Sequence, residues 1–253
     1  MSVCIGNVKL GEGNTKICVP IIGKTIEEIC QEAVEISGGQ ADIVEWRVDF
    51  YEDVMSTDKV LELITRLVDI LKDKPVLFTF RTKAEGGEKE IDEDAYIGLV
   101  KAVIKQNIVG AVDVELYKGD NVLDEIAVYA RGYDVKVIAS NHDFNKTPEK
   151  DEIKKRLLLM KEKGAHVSKM AVMPQNKADV LNLLTATEEV SRENENITVI
   201  TMSMGKLGVI SRLSGGVFGS AMTFGARNEI SASAPGQVEV SKLKTILDTI
   251  ENS

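Results

Sequence analysis

The chain has no C-x-x-C pair, no apolar run approaching 18 residues, no basic leader and only two histidines. Each absence excludes something. A membrane-spanning helix needs about 20 apolar residues, so none is predicted. The start MSVCIGNVKLGEG lacks a basic segment followed by an apolar one, so no export signal is expected. The three cysteines, Cys4, Cys18 and Cys30, are odd in number and confined to the first eighth of the chain, which fits a reducing, cytoplasmic setting. The triplets Asn145-Lys146-Thr147 and Asn196-Ile197-Thr198 therefore read as accidental matches to a glycosylation pattern. A net charge of −9 argues against a nucleic acid or an anionic membrane surface as partner, because either needs a basic face. An anionic small molecule would have to meet a local positive pocket.

What is present is periodicity. Short β-branched runs at 17–22, 42–50, 76–81, 111–116, 135–140, 166–173, 197–203 and 220–226 alternate with amphipathic segments at 25–37, 57–72, 92–106, 121–132, 148–164 and 177–191, and a last one covers 240–252. Thr57 and Asn121 are placed to cap helices, Pro148 to start one, and Gly132 and Gly164 to end them. Eight β-α units without a linker predict one domain over 1–253, a single (β/α)8 TIM barrel, with a doubly wound open sheet as the alternative. The first 15 residues, VCIG and VKLGEG about Gly6 and Asn7, read as a β-hairpin closing the bottom of the barrel.

Parallel strands are normally apolar on both faces, so polar residues inside them carry information. They obey a parity rule. Glu45, Arg47 and Asp49 share one face of their strand, as do Thr79 and Arg81 on the next and Asp113 and Glu115 on the third; Lys169 lies with Val167 and Ala171, and His142 follows Ser140. If the opposite, apolar face meets the helices, these polar groups meet inside the barrel. The carboxylates Asp49, Asp113 and Glu115 can be a buried ion-pair layer or can orient catalytic neighbours; metal chemistry on them is disfavoured because no histidine joins them. Lys169 asks for more, since aliphatic side chains fill such an interior at lower desolvation cost. A neutral amine there attacks a ketone or aldehyde to form an imine, and desolvation together with a nearby Arg47 or Arg81 would favour that neutral form. His142 lies at the carboxyl end of its strand, where barrel enzymes hold their chemistry, and reads as the acid/base; His166 lies at the opposite rim and reads as structural. The polar, Gly-rich TKAEGGEKEID after Arg81 and SASAPGQ (231–237) read as mobile loops, and Arg212 in KLGVISRLSGG can grip a carboxylate through a bidentate fork.

Taken in order, EWRVDF, FRTKAEGG, SNHDF, KMAVMP, ISRLSGGVFGSAMTFG and SAPGQ resemble the type I 3-dehydroquinate dehydratase family from about residue 17 to the end. The resemblance implies a barrel that acts as a homodimer without metal or organic cofactor and converts 3-dehydroquinate to 3-dehydroshikimate by syn elimination. It assigns Lys169 as the imine-forming lysine and His142 as the general acid/base, with Glu85 as the loop carboxylate working beside the histidine. It matches Glu45, Arg47, Arg81, Arg212, Ser233 and Gln237 to substrate-binding positions. The rival readings are a class I aldolase, which shares the imine but breaks a carbon–carbon bond, and a metabolite-binding barrel without turnover.

Overall fold

In the computed structural model, which describes residues 2–228 and 233–252, the chain opens with an antiparallel hairpin of β1 (Val3–Ile5) and β2 (Val8–Leu10). The turn is Gly6–Asn7, and Gly6 takes the left-handed φ of +55° that a two-residue turn of this kind favours. There follow β3 (Lys16–Ile21), α1 (Ile26–Ser37), β4 (Ile43–Arg47), α2 (Thr57–Leu71), β5 (Val76–Thr79), α3 (Glu93–Gln106), β6 (Ala111–Glu115) and α4 (Val122–Ala130). The second half holds β7 (Lys136–Asp143), α5 (Lys150–Glu162), β8 (Val167–Val172), α6 (Lys177–Glu193), β9 (Val199–Ser203), α7 (Gly205–Ser214), β10 (Met222–Ala226), β11 (Val238–Glu239) and α8 (Val240–Glu251).

All eight strands from β3 to β10 run parallel, in the order β10-β3-β4-β5-β6-β7-β8-β9. The two ends of that row meet: Val199 bridges Ser220, and the Ala221 N–H donates to the Val199 carbonyl at 2.8 Å. The sheet is therefore a closed (β/α)8 barrel, and β11 adds a short parallel pair outside β10.

Side-chain parity sorts the core into two. Outward residues such as Trp46, Phe78, Phe80 and Val112 pack on the helices, with Trp46 edge-on to Phe78 at 5.8 Å. Inward residues Cys18, Ile43, Leu77, Ala111, Ile138, Val167, Ile200 and Met222 form a separate cluster with Ile5 and Leu10 of the hairpin. The hairpin thus closes the barrel floor as the sequence suggested. Ile5 and Leu10 are fully buried, a contribution of about 1.5–3 kcal/mol each.

Several local expectations shift. Ser56, not Thr57, is the N-cap of α2, and α5 begins two residues after Pro148. The run 42–50 leaves the sheet at Arg47 and turns through a 3-10 segment, Val48–Phe50. No helix is predicted between the seventh and eighth strand runs, yet α7 forms over Gly205–Ser214. Tertiary packing explains it: Gly208 lies so close to Ser203 that a Cβ would overlap the Ser203 backbone.

Candidate active site

Above the apolar floor the inward positions turn polar, and they converge. Thr79 aligns with Asp113, Glu115 with Ser140, and Ser140 with Lys169 across successive strand pairs. Lys169 is 3 % exposed. Its Nζ donates to Asp113 Oδ2 at 3.1 Å and Glu45 Oε1 at 3.4 Å, and it lies 4.4 Å from the centre of the Phe224 ring. The guanidinium groups expected to crowd this amine are instead neutralised by other partners. Arg47 forks onto Asp49 at 2.7 and 2.8 Å, and Arg81 donates to Asp113 at 2.7 Å, Glu115 at 2.8 Å and Ser140 at 3.0 Å. Burial works against the Asp113 carboxylate, but Arg81 and Lys169 overcome it and hold the group well below the usual carboxylate range. The same carboxylates overcome the burial of Arg81 and hold its guanidinium charged. Among the described residues no cluster of three or more His, Cys, Asp or Glu side chains is arranged to hold a metal ion.

The wall beside β7 carries His142 and Glu85. His142 Nδ1 lies 2.8 Å from Glu85 Oε2, which also accepts the His142 backbone N–H at 2.9 Å, while Glu85 Oε1 accepts from Asn141 Nδ2 at 3.0 Å. Burial, reinforced by the positive charge of Arg81 and Lys169, pushes His142 well below its ordinary value. Burial also raises Glu85 to about 8, against Arg81 and with Glu115 adding to the rise. The short contact is therefore not a standing ion pair. It is a neutral pair with one exchangeable proton, an acid while it keeps that proton and a base once it has lost it.

The Glu85 segment was expected to be mobile, but the structure ties it down. Thr82 donates to Glu115 through its N–H at 2.8 Å and its hydroxyl at 2.6 Å, Glu88 N–H donates to Asp49 at 3.1 Å, and Lys83 N–H meets the Lys89 carbonyl at 3.0 Å. Gly86 turns the chain at φ +82°, and any side chain there would run into the Phe144 ring. These 82–89 contacts make a fixed wall, not a lid.

Arg212 is the exception to the pairing of charges. It is 1 % exposed, yet it reaches only the Pro235 carbonyl at 3.2 Å and the Met202 sulfur at 3.6 Å, and its Nε has no partner among the described residues. Burial alone lowers it to about 10. A guanidinium left this way is a receptor for an anion. Ser233 and Gln237 bond to each other at 2.9 and 3.0 Å beside it, while Ser231 of the expected loop lies outside the described residues.

Glu45, Arg47, Arg81, Glu85, His142, Lys169, Arg212, Ser233 and Gln237 all border one cleft with about 460 Å³ of free space, counting the part open to solvent. Every residue singled out for the site is therefore brought together. His166 is not among them; at the other end of the barrel its Nδ1 accepts the Val137 N–H at 3.0 Å. The apolar lining by Phe144, Met202, Met204 and Phe224 was missed, although the parity rule that exposed Lys169 also places Phe224 inward. Asn141 was missed too, because it sits one residue out of that parity.

The family model described as type I 3-dehydroquinase matches residues 17–253. The chain is 50% identical over 251 residues to the 3-dehydroquinate dehydratase of Clostridioides difficile (strain 630), covering 99% of this chain and 98% of that one. It is 46% identical over 251 residues to the 3-dehydroquinate dehydratase of Bacillus licheniformis, with the same coverage. Among solved structures, the Clostridium difficile type I 3-dehydroquinate dehydratase with covalent modified comenic acid superposes with a TM-score of 0.95 at 49% identity, over 100% of this chain and 98% of that one. The 3-dehydroquinate dehydratase from Enterococcus faecalis superposes with a TM-score of 0.91 at 40% identity, over 98% and 99%.

Proposed function

Because the chain belongs to the type I 3-dehydroquinase family, whose members dehydrate 3-dehydroquinate in the shikimate pathway, we propose that Lys169 is its imine-forming nucleophile, with His142 and Glu85 as the acid/base pair. The protein is a hydro-lyase that removes water from 3-dehydroquinate to give 3-dehydroshikimate. One observation carries the assignment of Lys169: a buried amine opens into the same cleft as His142, hydrogen-bonded to Glu85, and as Arg212, whose guanidinium has no carboxylate partner among the described residues.

The chemistry follows. Arg212 takes the substrate carboxylate, Ser233 and Gln237 lie beside it, and the ring ketone is turned down toward Lys169. Arg47, Arg81 and Glu45 border the substrate with their charges already paired, so they shape the cleft more than they grip charge. The amine, having released its proton, attacks the carbonyl carbon, and the carbonyl oxygen becomes the carbinolamine hydroxyl. His142, holding the pair's proton, gives it to that hydroxyl, which leaves as water with the C–O bonding electrons while nitrogen supplies the new C=N bond. The iminium acidifies the neighbouring carbon; the deprotonated pair takes a proton there and returns it to the C1 hydroxyl, which departs as the second water. Base and acid are one residue, so both transfers fall on one face of the ring, as a syn elimination requires. Water then adds to the iminium carbon, passing a proton to the pair, and the carbinolamine collapses to free product and Lys169.

Borohydride added during turnover of 3-dehydroquinate tests the nucleophile. A mass increase confined to the peptide containing Lys169, absent in Lys169→Ala, is expected; a trapped adduct on any other residue rejects the assignment. We further propose, from the resemblance to the family, a cytoplasmic homodimer, for which light scattering at twice the chain mass is the expected result; no described helix is long and apolar enough to cross a membrane.

A further inference from the structure

Outside the cleft, the outer face of the acid/base pair is wired to a helix that never touches the substrate pocket. Arg156, on α5, donates through Nη1 to Asn141 Oδ1 at 3.0 Å; Asn141 donates through Nδ2 to Glu85 Oε1 at 3.0 Å; and Glu85 Oε2 meets His142 Nδ1 at 2.8 Å. The chain has a direction. A guanidinium has only donors, so the Asn141 atom facing it must be oxygen, which leaves the amide NH₂ to face Glu85. Arg156 is itself held from two further sides, by Glu152 at 2.7 Å through Nε and by the ring of Tyr117 at 5.7 Å. The far side of Asn141 is not sealed by apolar packing. It borders a second, outward-facing cleft with Glu85, Tyr117 and His142, so Arg156 is the side chain there that fixes which way the amide points.

We propose that Arg156 is a positioning residue for the dehydration, acting through Asn141 to keep Glu85 supplied with a hydrogen-bond donor. This rests on the assignment of His142 and Glu85 as the acid/base pair. A donor on a carboxyl oxygen favours the carboxylate over the acid. Without Arg156 the amide is free to turn its oxygen toward Glu85, which then keeps its proton, and the base-competent form of the pair becomes scarce. The other charges near the pair, Arg81 from the end of β5, Asp113 and Glu115 from β6, Lys169 from β8 and Arg47 from β4 on the barrel side, and Lys83, Glu90 and Lys118 bordering the outer cleft, all stay in place. The effect is thus confined to the one link on the outer side.

Steady-state kinetics across pH, with 3-dehydroquinate as substrate, test this. Arg156→Met is expected to lower kcat by about tenfold or more with KM within about twofold, and to move the pH limb of kcat that reports the pair to higher pH. Arg156→Lys, which restores a donor to Asn141, is expected to return kcat to within about threefold of the parent and the limb to its original position. An unchanged kcat, or a fall in kcat with the limb undisplaced, overturns the proposal, since a merely structural arginine would move stability and not the limb. Should Arg156→Met fail to fold, Asn141→Ala makes the same measurement one link nearer, and an undisplaced limb there overturns it equally. Parent-like kcat in Glu85→Gln and in His142→Ala would instead reject the catalytic assignment on which the proposal rests, so the two failures are distinguishable.

Discussion

Replacing Arg212 by methionine separates binding from stability in a way no other arginine of the cleft would. Arg47 and Arg81 are each bonded to carboxylates, whereas Arg212 is buried with one carbonyl, one sulfur and an unsatisfied Nε. Burial takes it from the ordinary guanidinium value down to about 10; at about 1.4 kcal/mol per pH unit, the charge costs the folded state about 3 kcal/mol. The folded protein holds this proton less tightly than the unfolded chain does. The cost is therefore complete at every pH below about 10 and is relieved only as pH rises beyond it, so an assay at pH 7 sees all of it. The lost hydrogen bond to Pro235 offsets about 1 kcal/mol. Arg212→Met should accordingly be as stable as the parent or about 1–2 kcal/mol more stable in urea denaturation. Substrate would lose two charge-assisted bonds of about 1.5–3 kcal/mol each, so KM should rise at least about a hundredfold while kcat falls much less. Destabilisation by more than about 2 kcal/mol would show that the guanidinium holds the fold together, and an unchanged KM would show that the substrate carboxylate lies elsewhere.

Three further perturbations bear on the frame and the pair. Leu10→Ala should cost about 2–5 kcal/mol in urea denaturation while leaving kcat of the folded enzyme unchanged; a large drop in kcat would mean the hairpin does more than close the floor. Asp113→Asn strips a charged acceptor from both Arg81 and Lys169 and should cost about 3–5 kcal/mol, with a loss below about 1 kcal/mol counting against an ion-pair role. Glu85→Gln probes linkage: because the folded state raises Glu85 to about 8, the wild-type protein loses stability as pH climbs from the ordinary carboxylate range through that value, and the variant should not. Parallel stability curves for the two proteins between pH 5 and 8.5 would contradict that reasoning.

How much of this could be read from the chain depends on whether a rule is local. Strand parity is local, and it places Glu45, Arg47, Arg81, Asp113, Glu115, His142 and Lys169 on the inner face. Closure of the ring follows from counting β-α units, and the hairpin from VCIG and VKLGEG about Gly6 and Asn7. Helix α7 was not legible, because a Gly-rich segment becomes helical there only through its fit against β9. The rigidity of residues 82–89 was not legible either; its polar, Gly-rich composition resembles a free loop, and only the distant Asp49 and Glu115 reveal what its N–H groups bind. Asn141 and Arg156 lie outside the parity pattern altogether, on a chain of hydrogen bonds that crosses from barrel to helix layer.

The least legible property is how the charges are divided. Parity gathers the ionisable groups but does not say which pair off, and three arginines in a cleft suggest a uniformly positive pocket. The distances say otherwise. Arg47, Arg81 and Lys169 share the floor and wall with Glu45, Asp49, Asp113 and Glu115, so that region is compensated and slightly acidic, while Arg212 has no carboxylate partner among the described residues. Such a division gives the cleft a polarity. An anionic ketone entering carboxylate-first toward the lysine would meet Asp113 and Glu45; turned the other way, it would bring its charge to Arg212 and its carbonyl to the amine. The field thus favours the orientation that the imine chemistry needs, and it does so before any bond forms.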